Sequence, residues 1–114
     1  MESEMTRETL IKMLESLKIP FNEGVQDDEN TKCPRILFWD YVWEPIIASG
    51  QKYNTIVTYQ ISIMNYDSPR NSESLLKLRE ILEKYDINPI INHEYVEKEQ
   101  IWHSYFSIDV LENI

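Results

Sequence analysis

The sequence predicts an α+β domain in which one four-stranded antiparallel sheet carries two helices on one face, in the order α-β-β-α-β-β. Two observations lead to this prediction. Two segments repeat apolar residues at the three- and four-residue spacing of an amphipathic helix. Four other segments are rich in β-branched and aromatic residues, or alternate apolar with polar residues, as strands do. The 114 residues suit a single domain, which we expect to span residues 1–114.

Both predicted helices have a start or stop signal beside their apolar stripe. The first covers residues 6–18 and ends before Pro20, which cannot donate a backbone hydrogen bond. The second covers residues 73–85 and begins after Ser72, a favoured N-cap residue. The stripes, which we expect to pack on the sheet, consist of Leu10, Met13, Leu14 and Leu17 in the first helix and Leu75, Leu78 and Leu82 in the second.

The four strands are predicted over residues 35–43, 54–66, 90–96 and 101–111. Residues 22–32 form a polar, acidic loop in this interpretation, and residues 44–53 form a second loop because they contain Pro45 and Gly50. Both faces of the first strand are mostly apolar. One face is expected to carry Leu37, Trp39, Tyr41 and Trp43, and the other Ile36, Phe38, Asp40 and Val42.

Composition argues against several classes of protein. A net charge of −9 leaves no excess of Lys and Arg for phosphate contacts, so we expect no sequence-specific binding of nucleic acid. A membrane-spanning helix needs about 18 or more apolar residues in a row, and no segment approaches that length. Two isolated glycines cannot supply a phosphate-binding fingerprint, and no nucleophile motif is present. The sequence therefore predicts neither an enzyme nor a bound cofactor.

Three features could carry chemistry, and each has a simpler explanation. Cys33 follows the cation Lys32, which could lower a thiol pKa, but a buried thiol is the commoner case. His93 and His103 lie on the two strands of one hairpin. A three-residue turn places them opposite each other, whereas a tighter or a four-residue turn places Glu94 opposite His103. Either arrangement gives too few ligands for a metal site. The acidic run at residues 27–29 lacks the ligand spacing of a calcium loop.

The most unusual segment is the aromatic first strand with the apolar residues that follow it. A sheet with helices on one side buries only one of its faces, so large apolar side chains on the second face need another cover. Trp and Tyr dominate the energetics of protein–protein contacts. The sequence alone fits packing inside the domain as well as it fits an interface with another chain. The candidate interface residues are Trp39, Trp43, Ile46 and Ile47.

The order of several short segments resembles that of small tail-completion and tail-terminator proteins of long-tailed bacteriophages and prophages. The resemblance covers about residues 10–110. It rests on the Ile-Pro and acidic-Gly pair in residues 17–24 (LKIPFNEG) and on the Pro-led start of the apolar strand at residues 34–38 (PRILF). It also rests on the strand end at residues 61–67 (ISIMNYD), the charged helix at residues 75–87 and the hairpin at residues 95–102 (YVEKEQIW).

The resemblance implies a structural role in the virion tail, with assembly in the cytoplasm of the bacterial host. Such subunits form rings, commonly of six copies, between the tail-tube protein and the head-connector protein. An acidic lumen or rim would repel DNA passing through the ring, and its candidates are Glu23, Asp27, Asp28, Glu29, Glu94, Glu97 and Glu99. The alternative is a small α+β regulatory or ligand-binding module whose aromatic strand lines a pocket.

Overall fold

A computed structural model of the chain describes residues 5–24, 33–48 and 50–114. Two helices and a five-stranded sheet make up the fold. In chain order the elements are α1 (Arg7–Ser16), β1 (Phe21–Glu23), β2 (Arg35–Ala48), β3 (Gln51–Asn65), a 3₁₀ turn (Pro69–Asn71), α2 (Glu73–Lys84), β4 (Asn92–Val96) and β5 (Ile101–Glu112).

The sheet has five strands, in the order β1-β2-β3-β5-β4, so the predicted number of four was wrong, although the α+β class is confirmed. The additional strand is β1, which pairs parallel with β2, whereas the other pairs are antiparallel. Two of its three residues, Asn22 and Glu23, lie in the segment that the sequence predicted to be an acidic loop. Its pairing is fixed by backbone hydrogen bonds at both ends: Ile36 donates to the Pro20 carbonyl (2.9 Å) and Gly24 donates to the Phe38 carbonyl (2.8 Å).

One apolar core lies between the helices and one face of the sheet, as predicted. Both helical stripes contribute to it, and the strands contribute alternate residues because side chains in a strand point to opposite faces in turn. We call the opposite face of the sheet the outer face. The core includes Leu10, Met13, Leu14 and Leu17 from the first helical segment, Leu75, Leu78 and Leu82 from α2, and Val57, Ile61, Phe106 and Ile108 from the sheet.

Side-chain caps fix the start of each helix. The Thr6 hydroxyl accepts from the Thr9 amide (3.1 Å) ahead of α1. The buried Ser72 hydroxyl accepts from the Leu75 amide (3.2 Å) ahead of α2, as its position in the sequence predicted. The side-chain amide nitrogen of Asn65, at the end of β3, donates to the same Ser72 oxygen (2.7 Å). This contact ties the start of α2 to the sheet that the helix covers.

The segment at residues 44–53 is not the loop that the sequence predicted. β2 continues to Ala48 and β3 begins at Gln51, so the two strands form one hairpin with arms of 14 and 15 residues. Gly50 lies between the arms with φ of 75°, a left-handed conformation that favours glycine. Pro45 pairs with Thr55 and does not interrupt the ladder, because an edge strand has a side on which no donor is needed.

The sheet is wide at one end and narrow at the other. Within the described residues, β1 pairs with residues 36–38 and β4 with residues 101–105, and both contacts lie near the end of β3 at Asn65. We call this the five-stranded end. Towards Gly50 the sheet consists of three strands as far as the pair Thr55 and Glu112, and of β2 and β3 beyond it. We call this part the hairpin end: residues 39–48 of β2, 51–60 of β3 and 107–112 of β5.

Candidate functional site at the hairpin end

Exposed apolar side chains concentrate in the part of β2 that belongs to the hairpin end. Trp43 is 62% exposed, Ile47 61% and Tyr41 54%. Of the four residues predicted to form an interface, Trp43 and Ile47 are therefore exposed, whereas Trp39 and Ile46 are half-buried. Tyr41 and Val42 are also exposed, and the sequence prediction did not include them in the interface.

A β-bulge at Tyr41 changes which of these side chains share a face. Asp40 pairs with Tyr59 and Val42 pairs with Thr58, so Tyr41 has no partner in the register. Residues after the bulge point to the opposite face from the one that simple alternation predicts. Trp43, which pairs with the core residue Val57, consequently lies on the helix side of the sheet.

The predicted common face of Leu37, Trp39, Tyr41 and Trp43 is therefore wrong for its last member. The predicted face of Ile36, Phe38, Asp40 and Val42 is likewise wrong for Val42, which pairs with Thr58 on the outer face. A hydrogen bond across the bulge confirms the change, since the Trp43 indole donates to the Asp40 carboxylate (2.6 Å). Residues three apart in a regular strand lie on opposite faces and could not make this contact. The bulge gives the hairpin end apolar groups on both faces: Trp43 on the helix side, and Tyr41 and Val42 on the outer face.

Polar contacts hold the outer face of the hairpin end together across three strands. The Tyr41 hydroxyl, on β2, lies 2.8 Å from the Ser107 hydroxyl on β5. The Thr58 hydroxyl, on β3, donates to the Asp109 carboxylate on β5 (2.8 Å). These contacts orient the Tyr41 ring and the Asp109 carboxylate, both of which remain exposed at the surface.

The four described residues among those predicted to line a lumen or rim lie on different strands or in the turn between β4 and β5. Arg7 binds the Glu23 carboxylate through both guanidinium nitrogens, which neutralises that charge. Glu94 pairs with His103. Glu97 and Glu99 are exposed in the turn between β4 and β5, at the five-stranded end and far from Gly50. The remaining three predicted positions, Asp27, Asp28 and Glu29, lie outside the described residues.

The sequence had left two arrangements of the histidines open, and the structure shows the one with Glu94 opposite His103. His103 Nδ1 lies 2.9 Å from a Glu94 carboxylate oxygen, and His93 Nδ1 lies 2.8 Å from the Ser104 hydroxyl. Among the residues that the structure describes, no group of three or more His, Cys, Asp or Glu side chains could hold a metal ion.

Cys33 lacks the features of a reactive thiol. The Arg35 guanidinium donates to its sulfur (3.3 Å), which favours the thiolate, but burial has the larger effect and raises the pKa of the Cys33 thiol. Lys32, whose charge prompted the suggestion of a lowered pKa, lies outside the described residues. The thiol is therefore protonated at neutral pH and is a poor nucleophile.

A polar network that the sequence did not predict joins four elements at the edge of the core. Arg7 of α1 donates to the Tyr59 hydroxyl (2.8 Å) as well as to Glu23 of β1, and Tyr59 of β3 donates to Glu112 of β5 (2.7 Å). Burial, followed by the hydrogen bond to Glu112, raises the pKa of Tyr59 to about 12. The pKa of the Arg7 guanidinium is also raised, and the hydrogen bond to Glu23 is the largest cause. The network holds β1 in place.

The described residues form, among other surface depressions, a groove of about 620 Å³ along β5 and another of the same volume beside α2, and residues 38–43 line neither. One groove follows β5 at the hairpin end, between residues 107–111 and residues 87–89. The other lies between α2 and β4, where Arg70, Arg79 and His93 surround apolar side chains. β2 contributes Ile46 to the groove along β5. The ligand-binding module stays a prediction.

No family model matches the chain, and no curated protein matches it. Within the described residues, no helix has both the length and the apolar character needed to cross a membrane. The account of function therefore depends on the geometry of the molecule and on the sequence resemblance.

Proposed function

We propose that the chain is a non-enzymatic structural subunit of a phage or prophage tail, which forms a ring as a tail-terminator, tail-completion or head–tail joining protein. The observation that carries the proposal is the hairpin end, with exposed apolar side chains on both of its faces. A ring closes through a heterologous interface, in which two different surfaces of one subunit meet the neighbours on either side. Trp43 on one face, and Tyr41 and Val42 on the other, provide two such surfaces.

The resemblance suggests six copies, with the tail-tube protein on one side of the ring and the head-connector protein on the other. The subunit would belong to the virion tail and would assemble in the host cytoplasm. Six chains of net charge −9 carry −54 together, so a wall of such subunits would repel DNA within a Debye length of about 8 Å at physiological salt. Glu97 and Glu99 suit this role best, because both are exposed and lie in one turn.

Sedimentation velocity of the purified chain, with and without tail-tube protein, tests the proposal. Six copies of a 13.7 kDa chain weigh about 82 kDa, which separates clearly from the monomer. We expect a ring of this order in electron micrographs, either alone or on the end of a tube. A chain that stays monomeric at high concentration and does not bind tube protein contradicts the proposal.

Charge reversal tests the role in DNA passage. Glu97→Lys with Glu99→Lys should leave assembly intact and increase retention of DNA by the ring, most strongly at low salt. Glu80→Lys with Glu83→Lys, on exposed positions of α2, is a control with the same change of charge. If the first double variant retains no more DNA than the control does, the turn between β4 and β5 does not face the DNA.

A small ligand-binding module is the second candidate function, and the groove between α2 and β4 favours it. The groove has the volume of a small-molecule site, and its basic groups Arg70, Arg79 and His93 suit an anionic ligand. A rise in melting temperature with a small phosphorylated or carboxylated compound, seen in a monomeric chain, would support this candidate. Arg79→Gln should remove that rise.

A further inference from the structure

The edge of β5 carries backbone groups that point away from the sheet. β4 covers residues 101–105 of this edge, and near its other end the Leu111 amide donates to the Met5 carbonyl (3.0 Å). Successive amides of a strand point to opposite sides, so those of Ser107 and Asp109 point the same way as that of Leu111. Among the described residues, neither amide has a backbone hydrogen-bond partner on that side.

The two outer edges of the hairpin end differ in how well they could accept another strand. The β2 edge has the bulge at Tyr41, a proline at position 45 and a second register shift between Ile46 and Ile47. Bulges and prolines on an edge are devices that prevent pairing with other chains. β5 has none of them, and its register with β3 is continuous from Thr55↔Glu112 to Asn65↔Trp102. The β2 edge is therefore protected against pairing with another strand, and the β5 edge is not.

The regular edge lies in a groove with distinct walls. The groove has a volume of about 620 Å³ and follows β5 from Ser107 to Leu111. Ile87 and Pro89 form its wall on the helix side; both are half-buried, and Ile87 packs against the core, so the wall is fixed. The outer-face side carries the exposed Asp109 carboxylate, which accepts from Thr58, and also Ile46 and Ile56. A strand in the groove would meet an apolar wall with one set of alternate side chains, and an acidic group beside two isoleucines with the other.

We propose that this groove binds an extended segment of a partner protein, which adds as a strand to the open edge of β5. Its alternate apolar side chains would face Ile87 and Pro89, and a lysine or arginine would lie opposite Asp109. A second copy of the chain fits poorly, because its β2 edge is protected and pairing through its own β5 edge would bring two Asp109 carboxylates together on one short stretch of strand. The proposal does not depend on ring formation.

Fluorescence anisotropy with a labelled, end-blocked peptide tests the proposal on the full chain. The probe is Val-Thr-Val-Xaa-Val-Thr-Val, with Lys, Ala or Glu at the central position. We expect saturable binding of the Lys peptide, at least threefold tighter than the Ala peptide and tenfold tighter than the Glu peptide at low salt. N-methylation of one set of alternate amides should abolish binding, and N-methylation of the other set should leave it unchanged. Equal effects of both sets, or no binding, would overturn strand addition.

Two variants locate the peptide. Asp109→Lys should reverse the order of the Lys and Glu peptides, whereas Glu97→Lys, which makes the same change of charge in the turn between β4 and β5, should preserve it. An unchanged order in Asp109→Lys, with the fold verified by circular dichroism, would overturn the site. Residues 1–4 directly precede Met5 and are the competing occupant. If the peptide binds only after residues 1–4 have been removed, the proposal that a partner protein occupies the groove is wrong. Trp43→Ala should not affect the peptide, so ring formation and strand addition can fail separately.

Discussion

The five-stranded end and the hairpin end of the sheet are built from similar residues but differ in what covers them. At the five-stranded end β1 and β4 cover the sheet edges, and buried contacts such as Asn65 with Ser72 join the sheet to α2. At the hairpin end, residues 39–48 of β2 and residues 107–110 of β5 have no neighbouring strand on their outer edges among the described residues, and Trp43, Ile47 and Tyr41 are exposed. From this difference we expect substitutions of buried residues at either end to destabilise the chain. We propose that substitutions of the exposed apolar residues at the hairpin end leave the fold intact and change what the chain binds.

The largest expected effect is on the core beneath the helices. Leu78→Ala or Phe106→Ala should lower the free energy of unfolding by about 2–5 kcal/mol, because each removes apolar contacts and leaves a cavity. Ile47→Ala at the hairpin end is the control and should cost less than about 0.5 kcal/mol. Urea denaturation measures all three. Equal losses in the core and in the hairpin would refute the separation.

High pH should destabilise the chain through Tyr59. Its pKa is raised from about 10 to about 12 in the folded protein, so the phenol ionises first in the unfolded state. The stabilisation is complete below pH 10 and is lost as the pH rises from about 10 to about 12. The loss should not exceed about 2–3 kcal/mol, since one pKa unit corresponds to about 1.4 kcal/mol. Urea midpoints at pH 9 and pH 11 measure it, and Tyr59→Phe should show a smaller difference between them.

Ser72→Ala should destabilise the five-stranded end by about 1–2 kcal/mol. The substitution removes the N-cap of α2 and leaves the buried Asn65 amide without its acceptor. Ser72→Thr, which retains a hydroxyl, should recover part of the loss. Thermal denaturation of the two variants measures the difference, and an Ala variant as stable as the Thr variant would exclude a role for the hydroxyl.

Arg7→Ala should cost about 1 kcal/mol, because the ion pair with Glu23 is partly exposed and solvent screens it. The more informative result is local, since this pair holds β1 against α1. Hydrogen exchange at the Gly24 amide, which donates to Phe38, should speed up in Arg7→Ala while the amides of β3 stay protected. Unchanged exchange at Gly24 would show that backbone pairing alone holds β1.

The sequence was sufficient for elements with long periodic patterns. Leu10, Met13 and Leu14 repeat along α1, and Phe106, Ile108 and Val110 alternate along β5, so each pattern determines which face is buried. Three residues of β1 are too few for any period, and its position depends on a contact between Arg7 and Glu23 that is distant in sequence. Pro45 and Gly50 suggested a loop because sequence alone does not show that β2 lies at an edge there.

The candidate site was predicted only in part, for a related reason. The apolar, aromatic character of the segment around Trp43 could be predicted, but a bulge leaves no periodic signal. Without it, Trp39 and Trp43 were assigned to one face, whereas the structure separates them and exposes Tyr41. The open part of the β5 edge is bounded by the start of β4 and by the contact between Met5 and Leu111, and the alternation of residues along the strands predicts neither.

Sedimentation velocity of Trp43→Ala beside Tyr66→Ala tests the central claim most directly. Both aromatic side chains are 62% exposed, but Trp43 lies at the hairpin end and Tyr66 follows β3 at the five-stranded end. We expect both variants to keep the circular dichroism of the parent, and only Trp43→Ala to lose ring formation or binding of tube protein; Ile47→Asp should behave like Trp43→Ala. Assembly that survives Trp43→Ala and Ile47→Asp, or that Tyr66→Ala weakens equally, would contradict the claim that the hairpin end is the interface.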